Sequence, residues 1–171
     1  MQTNYSLRQP FGLHGTFYAA HEAPDGVSYS AEVAANVLDG SVAGIKGIPF
    51  GTVVSLGTNE NDQVKLGDPD GKGDFAIALR SVEREFDECD PVFIGYRNKE
   101  TVACMRTDQL SYICIRCPEG CDVGDPVDFD PVDGSMHNGG GGTVIPGARW
   151  EFQTVAGEIG VVRTGGRVAA P

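Results

Sequence analysis

The stretch ICIRCPEGC, residues 113–121, sets Cys114, Cys117 and Cys121 within eight positions beside Pro118 and Gly120. Thiols at this spacing raise two kinds of chemistry. As thiolates they are zinc ligands, and a thiolate activated by a neighbouring base is a nucleophile or redox centre. A tetrahedral zinc site needs a fourth ligand, however, and no second C-x2-C or H-x3-5-H pair follows, which leaves only Cys89, Cys104 or His137 to complete it. Read as a strand, the same segment alternates: Ile113, Ile115 and Cys117 face one side, Tyr112, Cys114 and Arg116 the other. Cys114 and Cys117 then point apart. Pro118 and Gly120 allow the chain to turn there, so the expected arrangement is a strand ending at a corner, with the thiols as small buried side chains and no metal.

Other candidates fall short in similar ways. The histidines that might activate a thiol, His14, His21 and His137, lie near the N-terminus or in a glycine-rich loop, and nothing local aims one at a cysteine. No G-x-S-x-G, H-E-x-x-H or phosphate-binding glycine loop is present. In DPDGKGD, residues 68–74, Asp68, Asp70, Gly73 and Asp74 sit at positions 1, 3, 6 and 7 of a calcium-loop register. Lys72 and Leu79 occupy positions 5 and 12, where ligands are required, so an acidic hairpin turn is expected instead. Asp128, Asp130 and Asp133 fit no loop template. The sequence therefore gives no catalytic residue, no metal ligand and no cofactor.

The elements that carry these residues read as strands. From residue 50 onward, TVVSL, QVKL, FAIALRSV, PVFIGY, TVACMR, LSYICIR, DPVDFDPV, RWEFQTV and IGVVRT alternate with Gly, Asp, Pro and Asn clusters. Nothing between them supplies the crossover helices of a parallel sheet. The expectation is an all-β fold, a small β-barrel or jelly-roll-like β-sandwich, over residues 29–171 as one domain. GTVVSLGTNENDQVKL and GDPVDFDPVDGSMHNGGGG each start a strand at a glycine and enter a polar turn, which predicts two hairpins of one antiparallel sheet system, with NGGGG (138–142) at a loop tip. YSAEVAANVLD, residues 29–39, suits either a short helix capped by Ser30 or a strand through Val33 and Val37.

Residues 1–28 differ. Their apolar residues Tyr5, Leu7, Phe11, Leu13, Phe17 and Tyr18 are separated by Gly, Pro and polar residues and follow no sustained period of 2 or 3.6. This predicts an extended N-terminal arm whose contacts are made to another subunit.

Composition narrows the partners. The chain has 171 residues, enough to bury one core without thiol or metal staples. Its 24 Asp+Glu against 13 Lys+Arg give a net charge of −11, which repels nucleic acid and anionic membranes. No run approaches the roughly 18 apolar residues of a membrane span, and MQTNYSLRQP lacks a signal peptide's basic flank and apolar stretch, so the chain is expected to remain where it is made. An odd count of five cysteines suits free thiols in a reducing cytosol.

The order of blocks then carries a resemblance. IPFGTVVSLGTNENDQVKL (48–66), FAIALRSVERE (75–85), ETVACMRTDQLSYICI (100–115), VGDPVDFD (123–130) and IPGARWEFQTVAGEIGVVRT (145–164) together resemble the structural cement, or decoration, proteins of tailed bacteriophages. The resemblance implies a small β-barrel or jelly-roll-like protein on the outer capsid surface of the virion, made in the bacterial host cytoplasm, that clamps neighbouring subunits of the major capsid protein without covalent change. It is compatible with a homo-oligomer, dimer or trimer. Two departures stand out: the insertion NVLDGSVAGIKG (36–47) lengthens the approach to Ile48-Pro49, and the thiols at 114, 117 and 121 fall where the family pattern requires none. The alternatives are a tail or receptor-binding β module and a thiol or zinc protein.

Overall fold

The computed structural model describes residues 13–18, 29–33, 47–56, 63–68, 71, 73–80, 95–97 and 101–165. Short β-branched and aromatic runs bounded by turn residues become strands, and no helix occurs among the described residues. In chain order they are β1 (Tyr29–Val33), β2 (Gly47–Pro49), β3 (Val53–Leu56), β4 (Gln63–Leu66), β5 (Phe75–Ala78) and β6 (Gly95–Arg97). The second half adds β7 (Thr101–Arg106), β8 (Ser111–Arg116), β9 (Pro126–Phe129), β10 (Met136–His137), β11 (Thr143–Trp150) and β12 (Ile159–Thr164).

Strands β1, β4, β3, β5 and β7 close into a barrel in that order. β1 completes it by running parallel to β4 and antiparallel to β7, with Tyr29 opposite Cys104. A five-stranded sheet runs β10-β9-β11-β12-β8, and β2 with β6 forms a separate ribbon.

Alternation along the barrel strands serves two cores at once. Val53 of β3, Phe75 and Ile77 of β5 and Met105 of β7 face the five-stranded sheet, where they meet Ile113, Ile115, Phe129, Ile145, Trp150 and Val162. Phe75 packs edge-on against Phe129 at 4.9 Å between ring centroids, joining the two layers. On the opposite face, Val54, Ala78, Val102 and Cys104 pack with Ile48, Phe50 and Tyr96 in a second core. The Tyr96 hydroxyl donates to the Leu79 carbonyl at 2.8 Å, so its polar tip is satisfied within that core. Each fully buried aliphatic or aromatic side chain here contributes about 1.5–3 kcal/mol of transfer free energy. Main-chain bonds fasten the layers further: Val53 N–H donates to Gly134 O, and Asp68 N–H to Pro131 O, both at 2.8 Å.

The all-β expectation holds, as barrel and packed sheet. Residues 29–33 are strand, since barrel closure between β4 and β7 requires one there, while 34–39 lie outside the described residues. Two strand expectations need correction. RWEFQTV is not one strand: β11 begins at Thr143, passes Pro146 and Gly147 by shifting register against β9, and ends at Trp150. A register irregularity tolerates the residues that normally interrupt a strand, and the chain then turns because Thr154 pairs with Cys121. The two glycine-led hairpins also fall in separate sheets, β3–β4 in the barrel and β9–β10 in the five-stranded sheet.

Candidate functional site

Of the expected arm contacts, Tyr5, Leu7 and Phe11 lie outside the described residues, whereas Leu13, Phe17 and Tyr18 lie in a segment laid along β8. Gly15 N–H donates to Cys114 O at 2.7 Å, Cys114 N–H to Thr16 O at 2.8 Å, and Tyr18 N–H to Tyr112 O at 2.8 Å. Residues 13–18 thus extend the sheet beyond its β8 edge. The same segment reaches the barrel, because Arg80 N–H donates to Gly15 O at 2.9 Å. Gly15 is at φ 83°, and a Cβ there would sit 2.9 Å from Gly51 N, so only glycine fits the crossing. Leu13 and Phe17 remain 53% and 37% exposed, while Tyr18 packs edge-on against Phe152 at 5.8 Å. The segment offers two apolar side chains outward while its backbone is fixed.

His14 anchors this crossing. Its Nδ1 accepts the Arg116 main-chain N–H at 2.9 Å. Its ring fills the space above Gly51, where a Cβ would meet Cε1 at 2.4 Å. Burial first, then the Arg116 and Arg80 guanidinium groups, push its pKa from 6.5 down to about 4, against an opposing hydrogen bond with the Phe50 backbone. The imidazole is therefore neutral at pH 7, as an Nδ1 acceptor must be.

The thiols divide as strand alternation requires. Cys117 and Cys121 join the core between the layers, whereas Cys114, also buried, belongs to the other face of β8. Burial, together with the adjacent Cys121, pushes the Cys117 thiol up to about 12. Burial alone does the same at Cys104, and it raises Cys114 and Cys121 as well. Such groups are poor thiolates at neutral pH, hence poor nucleophiles and metal ligands. Among the described residues no three His, Cys, Asp or Glu side chains gather as a metal site.

The acidic turns are occupied by their own backbone. Asp68 is buried and accepts the Gly73 N–H at 3.3 Å, while Asp74 pairs outward with Arg106 at 3.6 Å; Asp70 and Lys72 lie outside the described residues. Asp128 is buried and accepts N–H groups from Gly139, Gly141 and Gly142 at 2.7, 3.0 and 2.7 Å. Asp130 accepts from Val132 N–H at 2.7 Å, and Asp133 from Ser135 N–H at 2.8 Å. These carboxylates shape turns.

One constellation escaped sequence reading. Ser135 Oγ lies 2.9 Å from His137 Nε2, and His137 Nδ1 lies 2.6 Å from Glu119 Oε1, the order of a nucleophile, base and acid. Ser135 and His137 sit one strand residue apart, but Glu119 comes from the turn after β8, so no local spacing announces it. The Ser135 hydroxyl donates to Asp133 Oδ1 at 2.6 Å. With its proton held there, the oxygen accepts from His137 instead of donating to it, the reverse of what nucleophile activation requires. The group works as a clasp between β10 and the 118–120 turn, reinforced by Asn138 Nδ2 donating to Gly120 O at 3.0 Å.

What the geometry supplies is a fixed two-layer body with an outward-facing bound segment and no convergent chemistry among the described residues. A family model described as structural cement protein (E217 gp24/Pam3 gp6) matches residues 1–165. No curated protein matches the chain.

Proposed function

Because this chain belongs to the phage structural cement protein family, we propose that it binds the outer surface of an assembled capsid and clamps neighbouring major capsid protein subunits together. The match from residue 1 to residue 165 carries this reading, since it spans the N-terminal region, the barrel and the five-stranded sheet alike. The action is contact without covalent change. Residues 1–28 reach neighbouring subunits, with Tyr5, Leu7, Phe11, Leu13 and Phe17 as the contact side chains and Tyr18, packed on Phe152 of its own chain, adding at most its exposed edge, and the protein acts as a homo-oligomer of two or three copies. It is made in the host cytoplasm and ends on the virion exterior.

Physical features support this reading. A shell repeats its binding sites, so a modest contact per subunit becomes strong when one molecule bridges two neighbours. A net charge of −11 keeps decorated particles apart and keeps the protein off packaged nucleic acid. The direct test is an image reconstruction of particles carrying the protein. Density for the two-layer body over junctions between capsid subunits is the expected result; density confined to the tail would overturn the reading.

A further inference from the structure

We propose that residues 13–18 form an acid-released clip, seated at neutral pH across the barrel and β8 and freed when His14 takes up a proton. The seat is built from both layers: Cys114 and Tyr112 on β8 and Arg80 beyond β5 all bond the segment's backbone. His14 completes it by accepting the Arg116 N–H. A protonated Nδ1 presents a hydrogen to that N–H, so the bond is lost and two donors are forced together. The charged groups acting on the ring from the packed elements are Arg116 of β8 and Arg80 after β5, while the 50–51 turn brings none. Both are cations, so neither compensates an imidazolium. The ring cannot sidestep either, because it rests directly on Gly51.

The sign follows from linkage. His14 has a lower proton affinity seated than free, so seating is fully favoured above pH 6.5 and weakens as pH falls toward 4. Each tenfold of proton affinity is tenfold in the seating equilibrium, so at pH 4 the seat is weaker by about 100-fold than at pH 7. Release uncovers the β8 edge, freeing the main-chain groups of Tyr112 and Cys114. An open edge is a template for strand addition, so acid exchanges an intramolecular strap for an available binding edge.

The test is amide exchange on the full chain at pH 7 and pH 4, with protection corrected for intrinsic rates. The Gly15 and Arg116 amides are expected to lose about 100-fold of protection at pH 4, while the β12 amides of Val161 and Val162 hold theirs. His14→Asn places an amide oxygen near Nδ1 and does not titrate, so in this variant Gly15 protection is expected to stay level between the two pH values. Unchanged protection in the wild-type protein, the same acid loss in His14→Asn, or loss at β12 in step with Gly15 would each overturn the clip. None of these readings involves a capsid, so the result stands apart from the cementing role.

Discussion

Asp128 shows how single residues hold this fold. Its carboxylate is buried at the end of β9 and receives three N–H groups from the glycine run 138–142, so one side chain organises a loop that has little else to fix it. Charge-assisted bonds of this kind are worth about 1.5–3 kcal/mol each before desolvation is subtracted. Asp128→Ala should lower stability by about 2–4 kcal/mol, read as a lower urea midpoint at unchanged slope. Asp128→Asn, which keeps one accepting oxygen, should lose less. The thiols give a second residue-scale expectation. Cys104 and Cys117 ionise near 9.0 when unfolded and near 12 when folded, so the folded protein holds its protons longer. Their contribution is fully present below pH 9 and is lost as pH rises toward 12. Below pH 8 both thiols should react with a thiol reagent only at the rate of unfolding, and chelator should leave Tm unchanged. One tightly held metal per chain, lost together with the fold, would refute the packing role.

At the scale of elements, the 13–18 segment is a strap, a turn followed by a single bridge onto β8. Gly15→Ala puts a Cβ against Gly51 N at a backbone φ of 83°, so this variant should lose about 1–3 kcal/mol, measured by denaturation. Deleting residues 1–28 removes four main-chain bonds to β8 and Arg80, yet leaves both cores in place. The truncated protein is therefore expected to keep its far-ultraviolet circular dichroism, to melt lower, and to be retained poorly on capsids. Failure to fold would show that these residues belong to the body. The elements also mark how far the sequence can be read. β3, β4, β7, β8 and β12 were legible because each alternates between turn signals, and the sides taken by Ile113, Ile115 and Cys117 followed directly. β1 was ambiguous because its strand state comes from β4 and β7, not from Ala-rich local preference. β10 spans two residues, too few for a period, and β11 was hidden by Pro146-Gly147 at a register shift. The opposite facing of Cys114 and Cys117 was legible, but the Glu119–His137–Ser135 clasp and the His14 seat were not. Their partners lie 18 and 102 residues apart in sequence and are joined only by the sheet.

At the scale of the whole molecule, cementing is a linkage problem. A protein that binds only the assembled shell stabilises that shell by a free energy that grows with free concentration over Kd, about 2.7 kcal/mol per site at one hundred times Kd. A single arm cannot supply a tight Kd. Burying an aromatic side chain gains roughly 1.5–3 kcal/mol, while ordering each backbone residue costs about 1–2 kcal/mol. Residues 13–18 are already ordered on β8 in the isolated chain, so their outward side chains Leu13 and Phe17 can contact a neighbour at less entropic cost than a free tail. Bridging two neighbouring subunits then raises the effective concentration of the second contact, and a shell multiplies the gain over many sites. Particles lacking the protein should therefore assemble normally but open at lower temperature, and adding it back should restore the decorated value in proportion to occupancy. Because Leu13 and Phe17 are exposed in the isolated chain, the pair of substitutions Leu13→Ser and Phe17→Ser should leave the isolated protein's Tm within a few degrees. The same pair should weaken co-sedimentation with stripped particles by at least tenfold, equivalent to about 1.4 kcal/mol. Equal melting of bare and decorated shells would remove the cementing role, whereas full retention of the double variant would remove only this pair from the contact.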